Sequence, residues 1–164
     1  MRPDFPIIRL GPTDLPEAFE LIHLYGEAFE TGKYRMPAKS YLARWLENPG
    51  FIVLAALDGK KVIGGLTAYE LMMFHEEQPE IFIYDLAVKK EYQRKGTGTR
   101  LINFLKDYAA GKGIRTIFVM ANEEDDHAIK FYRAAGGKME KVGLFTFDTG
   151  DFKSICRGNE KNHG

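Results

Sequence analysis

The sequence predicts an α/β or α+β sandwich built on one mixed sheet. Three observations carry that reading. Apolar stretches of strand length alternate with stretches of helical spacing in the order strand, helix, helix, strands, helix, strand, helix, strand. One apolar strand runs through a glycine-containing turn straight into a strongly periodic helix. And 164 residues, 45% of them hydrophobic, suffice for one domain with a sizeable core. We expect that single domain over residues 1–156, with a polar, frayed tail over 157–164.

Ile7–Leu10 reads as the first strand. Pro12-Thr13-Asp14 is a helix-start signal, and Leu15, Phe19, Ile22 and Phe29 give the following segment a helical apolar stripe, with Gly32 ending it or loosening the loop beyond. Ser40 is placed to cap a short helix over Tyr41–Leu46, and Asn48-Pro49-Gly50 then breaks the chain. Phe51–Leu57 and Val62–Leu71 flank Asp58-Gly59, the signature of a hairpin turn. After a polar connection over Phe74–Pro79 comes the strand Ile81–Val88. The central helix runs from Gly98 to about Ala110, with Leu101, Ile102, Leu105 and Tyr108 on one face. Ile114–Ala121, rich in branched residues, is a strand. Asp125–Ala135 is a helix ended by Gly136-Gly137, and Lys141–Phe147 and Phe152–Ile155 are closing strands.

Composition excludes several functions. Lys plus Arg and Asp plus Glu both number 23, so no broad electrostatic grip on nucleic acid is expected. The charge is segregated: residues 89–100 are basic, while Glu76, Glu77, Glu80 and Glu123-Glu124-Asp125-Asp126 are acidic. An anion site beside a cation site suits an acidic cofactor and a cationic substrate. Cys156 is the single cysteine, which forbids an intrachain disulfide and fits a reducing compartment. No leader pattern or membrane-length apolar run is present, so the expectation is a cytoplasmic protein with no membrane partner.

The chemistry concentrates between Ile81 and Lys106. The free N–H groups and positive dipole end of a helix's first turn hold a phosphate. Gly96 and Gly98 admit a ligand close to the backbone of Gly96-Thr97-Gly98-Thr99, and Arg94, Lys95 and Arg100 add positive charge. A dinucleotide fingerprint needs a further glycine where Leu101 stands, and a Walker loop needs Lys-Ser/Thr where Thr99-Arg100 stands. A solvated turn with incidental basic residues is the competing reading. What remains, Gln93-x-x-Gly96-x-Gly98, resembles the Q/R-x-x-G-x-G/A signature of the GNAT superfamily of N-acetyltransferases.

Glu80–Val88, the glycine turn, Leu101–Lys106 and Asp125–Tyr132 look, in order and spacing, like aminoglycoside 3-N-acetyltransferases of type I within that superfamily; the likeness covers about residues 51–148. Two positions depart from that family: Gly98 stands for its usual alanine and His127 for its usual proline. The resemblance implies the GNAT fold, a mostly antiparallel twisted sheet with splayed central strands flanked by helices. It implies acetyl-CoA as co-substrate, its pyrophosphate on the Gln93–Thr99 turn, its pantetheine arm paired with Leu86, Ala87 and Val88 and contacted by Asn122. It also implies an aminoglycoside acceptor modified at the 3-amino group, resistance as the outcome through loss of a positive charge, and a homodimer.

Asp85 is the one charge inside an apolar strand, and burying a carboxylate is costly unless it is paired or functional. We expect it to bind the acceptor's ammonium and to take its proton, since an amine must be neutral to attack a thioester; capping a bulge or pairing with a structural arginine is the alternative. Glu80 and Tyr84 flank Asp85 on the same strand and are acceptor-binding candidates with it, although Tyr84 and Asp85 point to opposite faces unless a bulge intervenes. Tyr132 matches the superfamily's proton donor to the departing thiolate, a fit to the phenol pKa of about 10; a core tyrosine is the plainer use. Recognition of a polycation calls for spread carboxylates, for which Glu27, Glu30, Glu80, Glu123, Asp125, Asp126 and Asp148 are candidates, Asp126 and Asp148 foremost. His127 with its aspartates and His75-Glu76-Glu77 match no metal-ligand spacing, so no metal is expected. Without a Ser-His-Asp or Cys-His pattern, direct transfer in a ternary complex is favoured. The rivals are acetylation of a polyamine, amino acid or peptide, and a non-catalytic acyl-CoA-binding module.

Overall fold

The computed structural model describes residues 5–29 and 36–148. Glu30, Gly32, Phe152–Ile155, Cys156 and the tail over 157–164 lie outside those residues. Along the chain come β1 (Ile7–Arg9), α1 (Leu15–Ala28), α2 (Lys39–Glu47), β2 (Phe51–Asp58), β3 (Lys61–Leu71), β4 (Glu80–Val88), α3 (Thr97–Gly111), β5 (Ile117–Val119) and α4 (Asp126–Ala134). The sheet order follows the sequence, β1-β2-β3-β4-β5. All pairings are antiparallel except β4 with β5, which is parallel. The mixed, mostly antiparallel sheet flanked by helices is the fold class the sequence predicts.

The alternation along the strands splits the core into two layers. Ile52, Leu54, Ile81 and Ile83 meet Leu101, Leu105 and Ala109 of α3 on one face. Val53, Ala55, Val62 and Ala87 meet Leu21 and Leu24 of α1 and Leu42 and Leu46 of α2 on the other. Leu21, Leu54, Leu101 and Leu105 are fully buried, each contributing about 1.5–3 kcal/mol of transfer free energy. α1 lies against Gly65 of β3 so closely that a Cβ there would strike Leu21 and stand 2.7 Å from the Leu54 carbonyl oxygen. A leucine tip can rotate away, but a backbone oxygen in the central ladder cannot. Gly65→Ala is therefore expected to destabilise the fold by about 1–3 kcal/mol, visible as a lowered melting temperature; an unchanged melt would show that α1 rides more loosely on the sheet.

Several boundaries differ from expectation. α2 starts one residue earlier than Ser40, with Ala38 at the N-cap position in extended conformation, so Ser40 does not cap it. α3 starts at Thr97 rather than Gly98. The strand expected over Ile114–Ala121 shrinks to Ile117–Val119, because it pairs with β4 only at Ile81–Ile83. The strand expected over Lys141–Phe147 is not formed. No ladder reaches it among the described residues, and Val142, Leu144, Phe145 and Phe147 stay 74–86% exposed. An alternating segment becomes a strand only where a neighbour takes its N–H and C=O groups; the other expected closing strand, Phe152–Ile155, is outside the described residues.

Two irregularities position the site. The β3–β4 register slips between Thr67 and Ala68: Thr67 faces Asp85, Ala68 faces Ile83, and Tyr84 is the extra residue. The slip resets the alternation. Ile81 and Ile83 before it, and Leu86 and Val88 after it, share the α3 layer, whereas Ala87 turns to the α1–α2 layer. The second irregularity is the divergence of β4 and β5. Their ladder ends at Ile83–Val119, so that edge of β4 has no strand partner from Tyr84 to Val88 among the described residues.

Candidate active site

A cleft of about 840 Å³ opens where β4 and β5 part. Its floor is the Leu86-Ala87-Val88 edge of β4, which has no strand partner on the β5 side among the described residues and so leaves main-chain groups there for an extended ligand. Beyond Val88 the chain turns back through Lys90–Tyr92, and the Gln93 side-chain amide donates to the Val88 carbonyl at 3.0 Å, pinning the turn to the strand. Arg94 (φ +60°) and Gly96 (φ +88°) are both left-handed, which swings successive N–H groups toward one side. α3 then begins with no side chain capping it, so its first N–H groups have neither an intrahelical acceptor nor a side-chain one. Thr97 is buried and its hydroxyl reaches back to the Tyr92 carbonyl at 3.5 Å. A Cβ on Gly98 would stand 3.0 Å from the Phe131 ring, so glycine lets α4 close the cleft over the start of α3.

Gln93, Arg94, Gly96, Thr97, Gly98 and Thr99 all line this cleft, as does Asn122 just past β5. Lys95 does not; its ammonium lies 5.2 Å from the centre of the Tyr92 ring. Arg100, expected to add charge at the turn, instead donates to the Phe5 carbonyl at 2.6 Å and does not line the cleft. An uncapped helix start after two left-handed residues, at one end of an elongated cleft, fits a diphosphate group. The bare edge of β4 fits an amide-bearing arm that runs on from it.

Asp85 stands at the other end of that edge. Its Oδ2 accepts the Thr67 hydroxyl at 2.7 Å, and no lysine, arginine or histidine pairs with it among the described residues. Burial pushes its carboxyl above the ordinary value of 3.8, and the Thr67 hydrogen bond offsets part of that rise. Tyr132 lines the same cleft from α4, its phenol raised above 10.0 by burial first and then by the negative charges of Asp125 and Asp85. α4 is fixed at its start by Asp125, whose Oδ1 accepts the Ala128 N–H at 2.9 Å. It is fixed at its end by Gly136 (φ +93°) and by the Gly137 N–H bonded to the Tyr132 carbonyl at 2.9 Å. A carboxylate with no cation partner among the described residues and a neutral phenol thus face one cavity from opposite layers of the sheet, a pairing suited to moving protons in opposite directions.

A second cavity, about 260 Å³, lies under α1 and α2 on the far side of β4, and Tyr84 and Asp85 line both cavities. Of the acidic residues singled out in the sequence, Asp125 lines the larger cavity at the start of α4, Glu30 lies outside the described residues, and the others are placed elsewhere. Glu27 is exposed and lines neither cavity, although its neighbours Ala28 and Phe29 line the larger. Glu80 pairs with Leu71 at the opposite end of β4. Glu123 pairs with Lys141 at 3.2 Å and Asp126 with Lys130 at 3.7 Å, both in solvent and off both cavities. Asp148 is exposed and off both as well. Among the described residues no three His, Cys, Asp or Glu side chains converge as a metal site, and no helix is long and apolar enough to cross a membrane. Sequence reasoning missed Thr67, Tyr41, Trp45 and Tyr69. Thr67 was recoverable as the one hydroxyl in the apolar run Val62–Ala68, and Tyr41 and Trp45 as an i, i+4 aromatic pair on α2.

Known proteins share this fold. An aminoglycoside acetyltransferase from an uncultured soil metagenomic sample, crystallised with trehalose and with sisomicin, is 35% identical; it superposes with a TM-score of 0.85 over 90% of this chain and 97% of that chain. A second soil metagenomic aminoglycoside acetyltransferase is 39% identical, with a TM-score of 0.84 over 90% of this chain and all of the other. An L-2,4-diaminobutyric acid acetyltransferase from Nocardia farcinica is 30% identical over 118 residues, 69% of this chain and 58% of its own length. A probable N-acetyltransferase from Xenopus laevis is 28% identical over 58% of this chain and 42% of its own. The chain thus spans about half the length of these two curated relatives. The profile of the acetyltransferase (GNAT) family matches residues 18–136, from α1 through the end of α4. The splayed strands, the glycine turn and this match together place the chain in the acetyltransferase (GNAT) family.

Proposed function

We propose that the protein transfers the acetyl group of acetyl-CoA to an amino group, the 3-amino group, of an aminoglycoside. The observation that carries this reading is Asp85, a carboxylate with no cation partner among the described residues, at the junction of two cavities, one ending in a phosphate-fitted helix start. The likeness to soil aminoglycoside acetyltransferases, at 35% and 39% identity over 90% of the chain, supports the substrate class.

The diphosphate is held by the backbone from Gly96 to Thr99 with Gln93 and Arg94, and the pantetheine arm by Leu86–Val88 and Asn122. Asp85 holds the acceptor's ammonium and takes its proton, directly or through water. The freed nitrogen lone pair attacks the thioester carbonyl carbon; the N–C bond forms and the C–S bond breaks. As the C–S bond breaks, the nitrogen sheds its second proton, Tyr132 gives its proton to the departing sulfur, the phenolate recovers that second proton through solvent, and the acidified Asp85 releases its own to solvent. The charges balance, and no residue is acylated.

Thiol release from acetyl-CoA with gentamicin, kanamycin, spermidine, 2,4-diaminobutyrate and peptides tests the reading. Turnover with the aminoglycosides is expected. Turnover confined to diaminobutyrate, the substrate named for the Nocardia relative, or to spermidine or peptides, assigns another amine. Binding of acetyl-CoA with no turnover of any amine assigns a non-catalytic module. Tyr132→Phe is expected to lower kcat about 10²- to 10⁴-fold while both KM values hold, because the ring and its packing against Phe131 persist. A full rate in that variant would hand thiolate protonation to water.

A further inference from the structure

We infer that the smaller cavity is an aromatic cage that seats the acceptor's ammonium group, and that Tyr41, Trp45, Tyr69 and Tyr84 set which amines are taken. This inference rests on the proposed amine acetylation and names its acceptor subsite. Rings run in unbroken contact from α2 across the sheet. Tyr41 and Trp45 have centroids 6.2 Å apart, Trp45 and Phe51 5.7 Å, Phe51 and Tyr69 4.9 Å, and Tyr69 and Tyr84 5.8 Å. All five of these rings, with Tyr25 of α1, line the 260 Å³ cavity, and the carboxylate lining it is Asp85. Tyr41 and Tyr84 are left 48% and 64% exposed at its rim. Large rings held half in water around a carboxylate with no counter-ion among the described residues are not accounted for by core packing. They present negative ring faces to whatever cation neutralises Asp85.

The geometry also states what the cage excludes. Carboxylates spread over a surface attract any polycation. Here one carboxylate sits at the base and the walls are rings, so selectivity lies in the ammonium and in the carbon skeleton that slides between the rings. A volume of 260 Å³ admits one aminated ring or one alkylammonium arm, not a whole drug-sized acceptor, whose pockets run about 300–1,000 Å³. The rest of an oligosaccharide must extend outside. Arg44 already lies 5.8 Å from the centre of Tyr41, so Tyr41 is the wall least available to the substrate, and Tyr84, Tyr69 and Trp45 carry the recognition.

Trp45 is the only tryptophan in the chain, so its fluorescence reports on this cavity. The probe is tetramethylammonium, which has no lone pair to acetylate, set against uncharged tert-butanol at constant ionic strength. Saturable quenching by tetramethylammonium and none by tert-butanol is expected, together with competition against the turned-over amine. Tyr84→Leu keeps Asp85 but removes a wall. It is expected to weaken tetramethylammonium binding and raise the KM for the amine about 5- to 30-fold, with the KM for acetyl-CoA unmoved and Tyr84→Phe restoring both values. Equal quenching by the two probes, or a Tyr84→Leu variant that behaves as the native protein, overturns the cage. Thiol release from the native protein is scored separately. Turnover without a tetramethylammonium effect defeats the cage and leaves the acetylation standing; tetramethylammonium binding without turnover of any amine upholds the cage and defeats the acetylation.

Discussion

Asp85→Asn is expected to lower kcat at neutral pH about 10²- to 10⁴-fold while leaving the KM for acetyl-CoA unchanged. The carboxylate faces the junction of the two cavities, remote from the helix start that fits the diphosphate, so its loss removes proton acceptance and not cofactor binding. The pH dependence has a definite sign. Burial raises the folded-state pKa of Asp85 above 3.8, so the base loses its ionised form, and kcat/KM falls, as pH drops through that raised value. The Asn variant has no such acid limb. The same shift fixes a stability effect of opposite direction. A carboxyl whose folded pKa is raised contributes stability that is complete below its unfolded pKa and is lost as pH rises through the folded one. At pH 7 the fold carries the cost of a desolvated carboxylate. Asparagine removes that cost and keeps an oxygen for the Thr67 hydroxyl. The variant is therefore expected to melt at or above the native temperature at pH 7, the gap closing in acid. A full rate from pH 6 to 9 would end the base assignment, and a lower melting temperature at pH 7 would end the account of its burial.

That prediction combines what was legible in the sequence with what was not. A lone aspartate in an apolar strand and a glycine turn opening a periodic helix are local signals, and both landed on one cleft. So did Tyr132, from a helix bounded by Asp125 and Gly136, because caps and left-handed glycines are also local. The acidic acceptor residues were another matter. Glu123 and Asp126 were read from composition, and a charge run says nothing about which way each side chain faces; both found lysines in solvent. The aromatic pocket was illegible for the converse reason. Its walls come from α1, α2, β2, β3 and β4, and each ring alone reads as core. Only the slip that makes Tyr84 the extra residue brings it beside Asp85, and a one-residue slip leaves no mark in an alternating pattern. The segment over 141–147 finds no partner strand among the described residues: alternation announces a strand but cannot supply its neighbour.

Gly96→Val is expected to abolish tight coenzyme A binding, raising the Kd about 100-fold, while the chain still folds. Gly96 sits at φ +88°, where a β-branched residue is a steric outlier, and a left-handed non-glycine residue costs about 1–2 kcal/mol. The turn relieves that strain most cheaply by rotating Gly96 out of the left-handed region, since α3 behind it is locked by fully buried Leu101 and Leu105. Rotation swings the N–H groups of the turn away from the cleft and undoes the pair of left-handed residues that makes the anion site. A hydrogen bond to a charged group is worth about 1.5–3 kcal/mol, so losing one or two with the dipole contact suffices for the factor of 100. Calorimetry with coenzyme A reads the change, and pantetheine, which lacks the diphosphate, supplies the control. If the turn grips the diphosphate, pantetheine binds native and variant protein alike and only coenzyme A is affected. A variant that binds coenzyme A as the native protein does would put the diphosphate elsewhere on the chain. One that loses pantetheine equally would show that the substitution deforms the β4 edge rather than the turn.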